Sequence, residues 1–132
     1  KDEIVLVTRK DHPLAKAGAI DLDTLKKIPL VIREFGSGTL HVIQHYLKSQ
    51  HLSIADLNIE MQLGSTEGIK TYLRQTRCFA FLSLNSVLEE LRRDELSIVE
   101  IPGPGMNRFF HFIIPHGSEE PLADMFMNFV IR

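Results

Sequence analysis

The sequence predicts an α/β fold, and three observations carry that prediction. Short apolar runs of strand character (IVLV at 4–7, LVI at 30–32, FAFL at 79–82) alternate with longer amphipathic runs of helical period. Two small-residue turns, GSGT at 36–39 and GST at 64–66, each stand between a strand-like run and a helix-like run. The 132 residues are 44% hydrophobic and 24% charged, the balance of one globular domain with a real core. No internal repeat or low-complexity tract interrupts the alternation.

Taken in order, residues 4–7 read as a strand. KDHPLAKAGAID follows, with Pro13 and Gly18 marking irregular structure. Asp21 is placed to cap a short helix over 23–27, and Pro29 opens a strand over 30–33. A helix follows Thr39, with Leu40, Ile43 and Leu47 on one stripe and His41, His45 and Lys48 opposite. SQHLSIADLN is a connection, after which Ile59, Met61 and Leu63 alternate as in a strand. The next helix runs to about Arg74 with Ile69 and Leu73 inward, and 79–82 is a short buried strand. Residues 84–93 form a helix carrying Val87, Leu88 and Leu91. A strand over 96–101, a PGPG loop, a strand over 109–114 and an amphipathic helix over 120–130 complete the reading.

Charge and cysteine content exclude several function classes. Fifteen basic and 17 acidic residues leave a formal net charge of -2, so no basic excess supports nucleic-acid binding by this chain. The single cysteine, Cys78, excludes an internal disulfide and fits a reducing, cytoplasmic compartment. No run approaches the length of a membrane span. The chain opens almost directly on its first strand-like run, so a piece of a longer protein is expected.

The two small-residue turns are the chemically informative feature. In a mostly parallel sheet, strand C-termini share one edge, and ligands bind in the crevice there. Helix N-termini leave backbone N–H groups unpaired. Ser37, Thr39, Ser65 and Thr66 add hydroxyls, and the set suits a carboxylate, phosphate or sulfate. The same residues also suit plain helix capping, and the residues alone leave both readings open. Other candidates point to no cofactor, metal or catalysis. His41 and His45 lie one turn apart in HVIQH, but without the Glu of HExxH or a clear third ligand they read as a polar helix face. Cys78 has no identifiable base and reads as a buried thiol. Glu34 and Glu67 read as surface charges rather than general bases. The turns match neither the P-loop nor GxGxxG, and no nucleophile–base pair suggests an enzyme.

REFGSGTLHVIQHYLK, LNIEMQLGSTEGIKTYL, FAFLSLNSVLEEL and FFHFIIPHG, in that order and spacing, resemble the effector-binding domain of LysR-type transcriptional regulators. DEIVLVTRKDHPLA resembles that family's entry into its second regulatory subdomain. The resemblance implies a fold like type-2 periplasmic binding proteins, in which two α/β subdomains flank a ligand cleft and are joined by two crossover strands. Residues 1–132 would be a partial effector-binding domain, with crossovers at about 3–9 and 109–115. Approximately residues 10–108 would be the second regulatory subdomain, and 109–132 the return crossover and a helix of the first. The DNA-binding winged helix-turn-helix would lie outside this chain. The resemblance further implies a small, anionic effector, contacts from Ser37, Gly38, Thr39, Ser65 and Thr66, and homo-oligomerisation. A solute-binding module of a transport system, which shares the fold, is the alternative. One departure stands out: TRCFAFLS places Thr76 and Cys78 where the family commonly has glycines. Side chains there are expected to narrow the cleft rim or reshape a turn.

Overall fold

A computed structural model describes residues 2–34, 38–103 and 106–108. Six strands form one mixed sheet: β1 (Asp2–Arg9), β2 (Pro29–Arg33), β3 (Asn58–Leu63), β4 (Phe79–Ser83), β5 (Leu96–Val99) and β6 (Met106–Arg108). Five helices connect them: α1 (Pro13–Ala17), α2 (Leu22–Lys27), α3 (Gly38–Ser49), α4 (Thr66–Gln75) and α5 (Leu84–Arg92). The strand order is β3-β2-β4-β1-β5, with β6 also on β1. β2 pairs in parallel with both β3 and β4, whereas β1 runs antiparallel to β4, β5 and β6. This is the mixed sheet of a periplasmic-binding-protein-like regulatory domain.

Burial on both faces explains why the central strands read as unbroken apolar runs. Successive residues of a strand point to opposite faces. Ile4, Leu6, Leu30, Phe79 and Phe81 therefore meet Leu25 of α2 and Ile43, Tyr46 and Leu47 of α3. Val5, Val7, Val31, Ala80 and Leu82 meet Ile69 and Leu73 of α4 and Val87 of α5 on the other side. The strand β3 lies at the edge, and its half-buried Ile59, Met61 and Leu63 alternate with exposed residues as their spacing predicts.

Several expectations need correction. The stretch after β1 was predicted irregular because of Pro13 and Gly18, yet it holds α1. Proline is well suited to a helix's first position, the His12 ring accepts from the Leu14 N–H at 3.0 Å, and Gly18 ends the helix at φ 84°. The helix α5 buries Val87, but Leu88 is 42% exposed and belongs to no core. The strand predicted over 96–101 ends at Val99. Pairing to β1 resumes at Met106, which the sequence placed before the next strand. The strand expected at 109–114, the helix at 120–130 and the return crossover fall outside the described residues.

The link from β5 to β6 has a defined shape. Val99 faces Leu6, but the next residue paired on that edge is Met106, opposite Ile4. The chain detours between them through Pro102 and Gly103. The Tyr46 hydroxyl donates to the Pro102 carbonyl at 2.6 Å. Gly103 sits at φ 92°, a left-handed conformation that favours glycine, while a Cβ there would meet the flexible end of the Gln50 side chain at 2.4 Å.

Candidate binding cleft

Because β2, β3 and β4 are parallel, their C-terminal ends share one edge of the sheet. Each is followed in sequence by a helix, and α3, α4 and α5 begin at that edge. Between them lies a cleft of ≈ 460 Å³. Arg33 enters from the end of β2, Gly38 and Thr39 from the start of α3, and Thr66 from the start of α4. Leu82 and Ser83 close it from the end of β4, and Ser86 from the first turn of α5.

The polar groups around the cleft are hydroxyls, backbone groups and one guanidinium. Ser65 caps α4, its hydroxyl accepting from the Gly68 N–H at 3.0 Å. The helix α5 begins at Ser83 without a side-chain cap hydrogen bond from that residue. The Ser86 hydroxyl donates to the Ser83 carbonyl at 2.8 Å. Arg33 reaches across from β2, with Nη1 3.4 Å from the Thr66 hydroxyl. Its Nε is buried and has no hydrogen-bond partner among the described residues. Nor does any carboxylate pair with it among the ion pairs of the described residues. An arginine whose guanidinium is this poorly satisfied, beside three helix N-termini, gives the cleft a positive character.

The sequence-predicted contacts divide accordingly. Gly38, Thr39 and Thr66 come together in the cleft. Ser65 stands next to it with its hydroxyl engaged in capping, and Ser37 lies outside the described residues. Sequence reasoning missed Arg33, Ser83 and Ser86. Arg33 stands in the sequence only as a cation closing a buried strand before the GSGT turn, and its approach to Thr66 depends on the pairing of β2 with β3. Ser83 and Ser86 mark a third strand-to-helix joint, FLSLNS, which was passed over because it contains no glycine.

Thr76 and Cys78 do not narrow the cleft rim. They sit at the N-terminal end of β4, a strand's length from the cleft at its C-terminal end. What they build is a turn: the Thr76 hydroxyl donates to the Tyr72 carbonyl at 2.8 Å and accepts from the Cys78 N–H at 3.2 Å. Cys78 is buried, its thiol 3.3 Å from a Glu60 carboxylate oxygen, and burial pushes its pKa up. That makes it a poor nucleophile. His41 and His45 are exposed on α3. No group of three potential metal ligands occurs among the described residues, and no helix there is long and apolar enough to cross a membrane.

The family model for the LysR substrate binding domain matches residues 1–132. The chain belongs to that family. It is an effector-binding regulatory domain of the LysR type, and so a regulatory module rather than an enzyme. The chain is 30% identical over 128 residues to the RuBisCO operon transcriptional regulator of Acidithiobacillus ferrooxidans, covering 96% of this chain and 40% of that protein. It is 39% identical over 133 residues to an uncharacterized HTH-type transcriptional regulator, MJ0300, of Methanocaldococcus jannaschii, covering 100% of this chain and 45% of the relative. Among solved structures, the regulatory domain of CcmR from Synechocystis PCC6803, in complex with 2-PG, superposes with a TM-score of 0.65 at 30% identity. That match covers 76% of this chain and 47% of the CcmR chain. The LysR-type domain described here thus spans less than half the length of these relatives.

Proposed function

We propose that this LysR-type domain senses a small anionic metabolite, bound in the cleft where α3, α4 and α5 begin. The observation that carries the reading is the convergence on one cleft of three helix N-termini and Arg33, whose buried Nε has no hydrogen-bond partner among the described residues. Gly38, Thr39 and Thr66 are the proposed contacts, with Ser37 joining them from the turn before α3. Ser65 contributes by holding the first turn of α4 in place. The complex of the CcmR regulatory domain with 2-PG supports a small-molecule ligand. Residues 10–108 form the second regulatory subdomain in this reading, and an opposing subdomain, to which 109–132 return, closes the cleft. The full-length protein is a cytoplasmic homo-oligomer that contacts DNA through a winged helix-turn-helix outside this chain. The effector acts by binding two arrangements of the subdomains with different affinity, which shifts their populations.

Two neighbouring hydroxyls provide the test. Ser65 is the cap of α4, whereas Thr66 is its first residue and faces the cleft. In the full-length protein, Ser65→Ala should cost about 0.5–2 kcal/mol of stability and leave affinity for inorganic phosphate, the simplest probe, nearly unchanged. Thr66→Ala and Ser37→Ala should do the reverse. Loss of stability without loss of affinity in Thr66→Ala would reduce the turn to capping and sink the proposal.

A further inference from the structure

Lys70 is a buried charge that the cleft contacts leave unexplained. It is only 5% exposed, and lysine is almost never so buried unless paired. Its ammonium lies between α4 and α5, 2.7 Å from the Ser86 carbonyl, 3.1 Å from Glu90 Oε2 and 3.0 Å from Glu67 Oε2. Burial alone would lower its pKa, but the bonds to Glu67 and Glu90 outweigh burial and raise it. Packing does not require this arrangement. Buried ion pairs contribute little to stability relative to apolar side chains of similar size, and the surrounding cluster of Ile69, Leu73 and Val87 is apolar.

The position of the charge suggests a different role. Thr66 lines the cleft, Glu67 follows it, and Lys70 lies one helical turn further along α4. Ser86 lines the cleft from α5, and Glu90 lies one turn beyond it. One carboxylate, Glu67, is therefore next in sequence to a cleft residue, and the other, Glu90, lies one turn from the cleft, whose other groups attract anions. Both are held against the same ammonium. We propose that Lys70 is a charge-compensating residue for the cleft: its single positive charge offsets half of the negative charge of Glu67 and Glu90, whose fields would otherwise repel an anionic effector more strongly. The inference rests on the anionic-effector reading above.

The test is phosphate affinity, measured by calorimetry in the full-length protein at low salt. Lys70→Met leaves both carboxylates uncompensated and should weaken binding by roughly three- to tenfold. Glu67→Gln, at a side chain 79% exposed, removes one negative charge and should strengthen binding by a similar factor. Lys70→Met/Glu90→Met removes one charge of each sign and should return affinity to near the wild-type value. All three effects should shrink at high salt. Thermal midpoints should follow another order, with Glu67→Gln close to wild type and Lys70→Met lowest. A purely structural Lys70 predicts affinities that track those midpoints, and no effect of Glu67→Gln. If Lys70→Met fails to fold, Glu67→Gln and the double variant still decide. Unchanged affinity in Glu67→Gln, in a protein that binds phosphate and loses it on Arg33→Gln, overturns the compensation alone. A wild-type protein with no saturable phosphate binding overturns the anionic reading and the compensation together.

Discussion

Replacing Arg33 by glutamine separates ligand binding from folding. The guanidinium has few structural partners to lose. Its bond to the Thr66 hydroxyl is long at 3.4 Å, and its Nε has no partner among the described residues. Hydrogen bonds weaken at such distances, and an ordinary one contributes about 0.5–1.5 kcal/mol net. Arg33→Gln should therefore change unfolding free energy by less than about 1 kcal/mol. The effect on an anion should be larger. A hydrogen bond to a charged group contributes about 1.5–3 kcal/mol, which corresponds to roughly 10- to 150-fold in affinity. Arg33→Lys keeps the charge but loses the planar fork, so its affinity should fall between the two. Calorimetry with inorganic phosphate gives the affinities in the full-length protein, and urea unfolding gives the stabilities. If Arg33→Gln binds phosphate within twofold of wild type, or loses as much stability as affinity, the cleft does not work through this arginine.

Two further expectations concern the scaffold. The His12 ring is buried against Phe79, at 4.8 Å between centroids, and its Nδ1 must stay unprotonated to accept from Leu14. Burial, then Arg77 and Arg9, hold its pKa below the ordinary 6.5, with Asp11 opposing. The folded protein thus keeps the imidazole neutral while the unfolded chain takes up a proton below that value. This contribution to stability is present above pH 6.5 and is lost as pH falls through the lower folded pKa. Urea midpoints measured between pH 7.5 and 5 should show the decline, and His12→Asn, which can still cap, should remove this part of it; an unchanged pH profile refutes the assignment. Leu73 of α4 is fully buried, and Leu73→Ala should cost about 2–5 kcal/mol in denaturant unfolding. A cost below about 1 kcal/mol would mean that the face of the sheet under α4 repacks freely.

Much of the fold was legible because the sheet is covered on both sides. IVLV, LVI and FAFL are continuous apolar runs because their residues are buried on both faces of the sheet, and all but Ile32 join one of the two core clusters. The edge strand β3 showed its half-buried state through alternation, and Asp21 announced α2 by the cap it makes to Thr24 at 2.8 Å. The helix α1 was hidden because Pro13 and Gly18 were read as breakers, when each sits at the one helix end that favours it. At the cleft, hydroxyl- and glycine-rich turns drew attention to Gly38, Thr39 and Thr66. Arg33 was not singled out because nothing local shows that β2 ends beside α4. That juxtaposition depends on β2 pairing with β3, from which α4 departs. Lys70 was similarly opaque: on α4 alone it is one more polar residue, and only the packing of α5 supplies Ser86 and Glu90.

The antiparallel strand has a consequence for the order in which the molecule assembles. β1 is first in the chain, yet its neighbours in the sheet are β4, β5 and β6, the last three strands described. The strands β2 and β3 meet each other through a much shorter loop, around α3. Loop closure disfavours distant pairings until nearer ones are made, and topologies rich in distant pairings fold slowly. Within this stretch of chain, β1 meets these partners only after the parallel strands and their helices have been synthesised. Only when the stretch beyond Phe79 arrives can both its edges be satisfied. Until then the apolar segment IVLV lacks the strand partners it has in the folded sheet, and such exposed strand edges invite association with other chains.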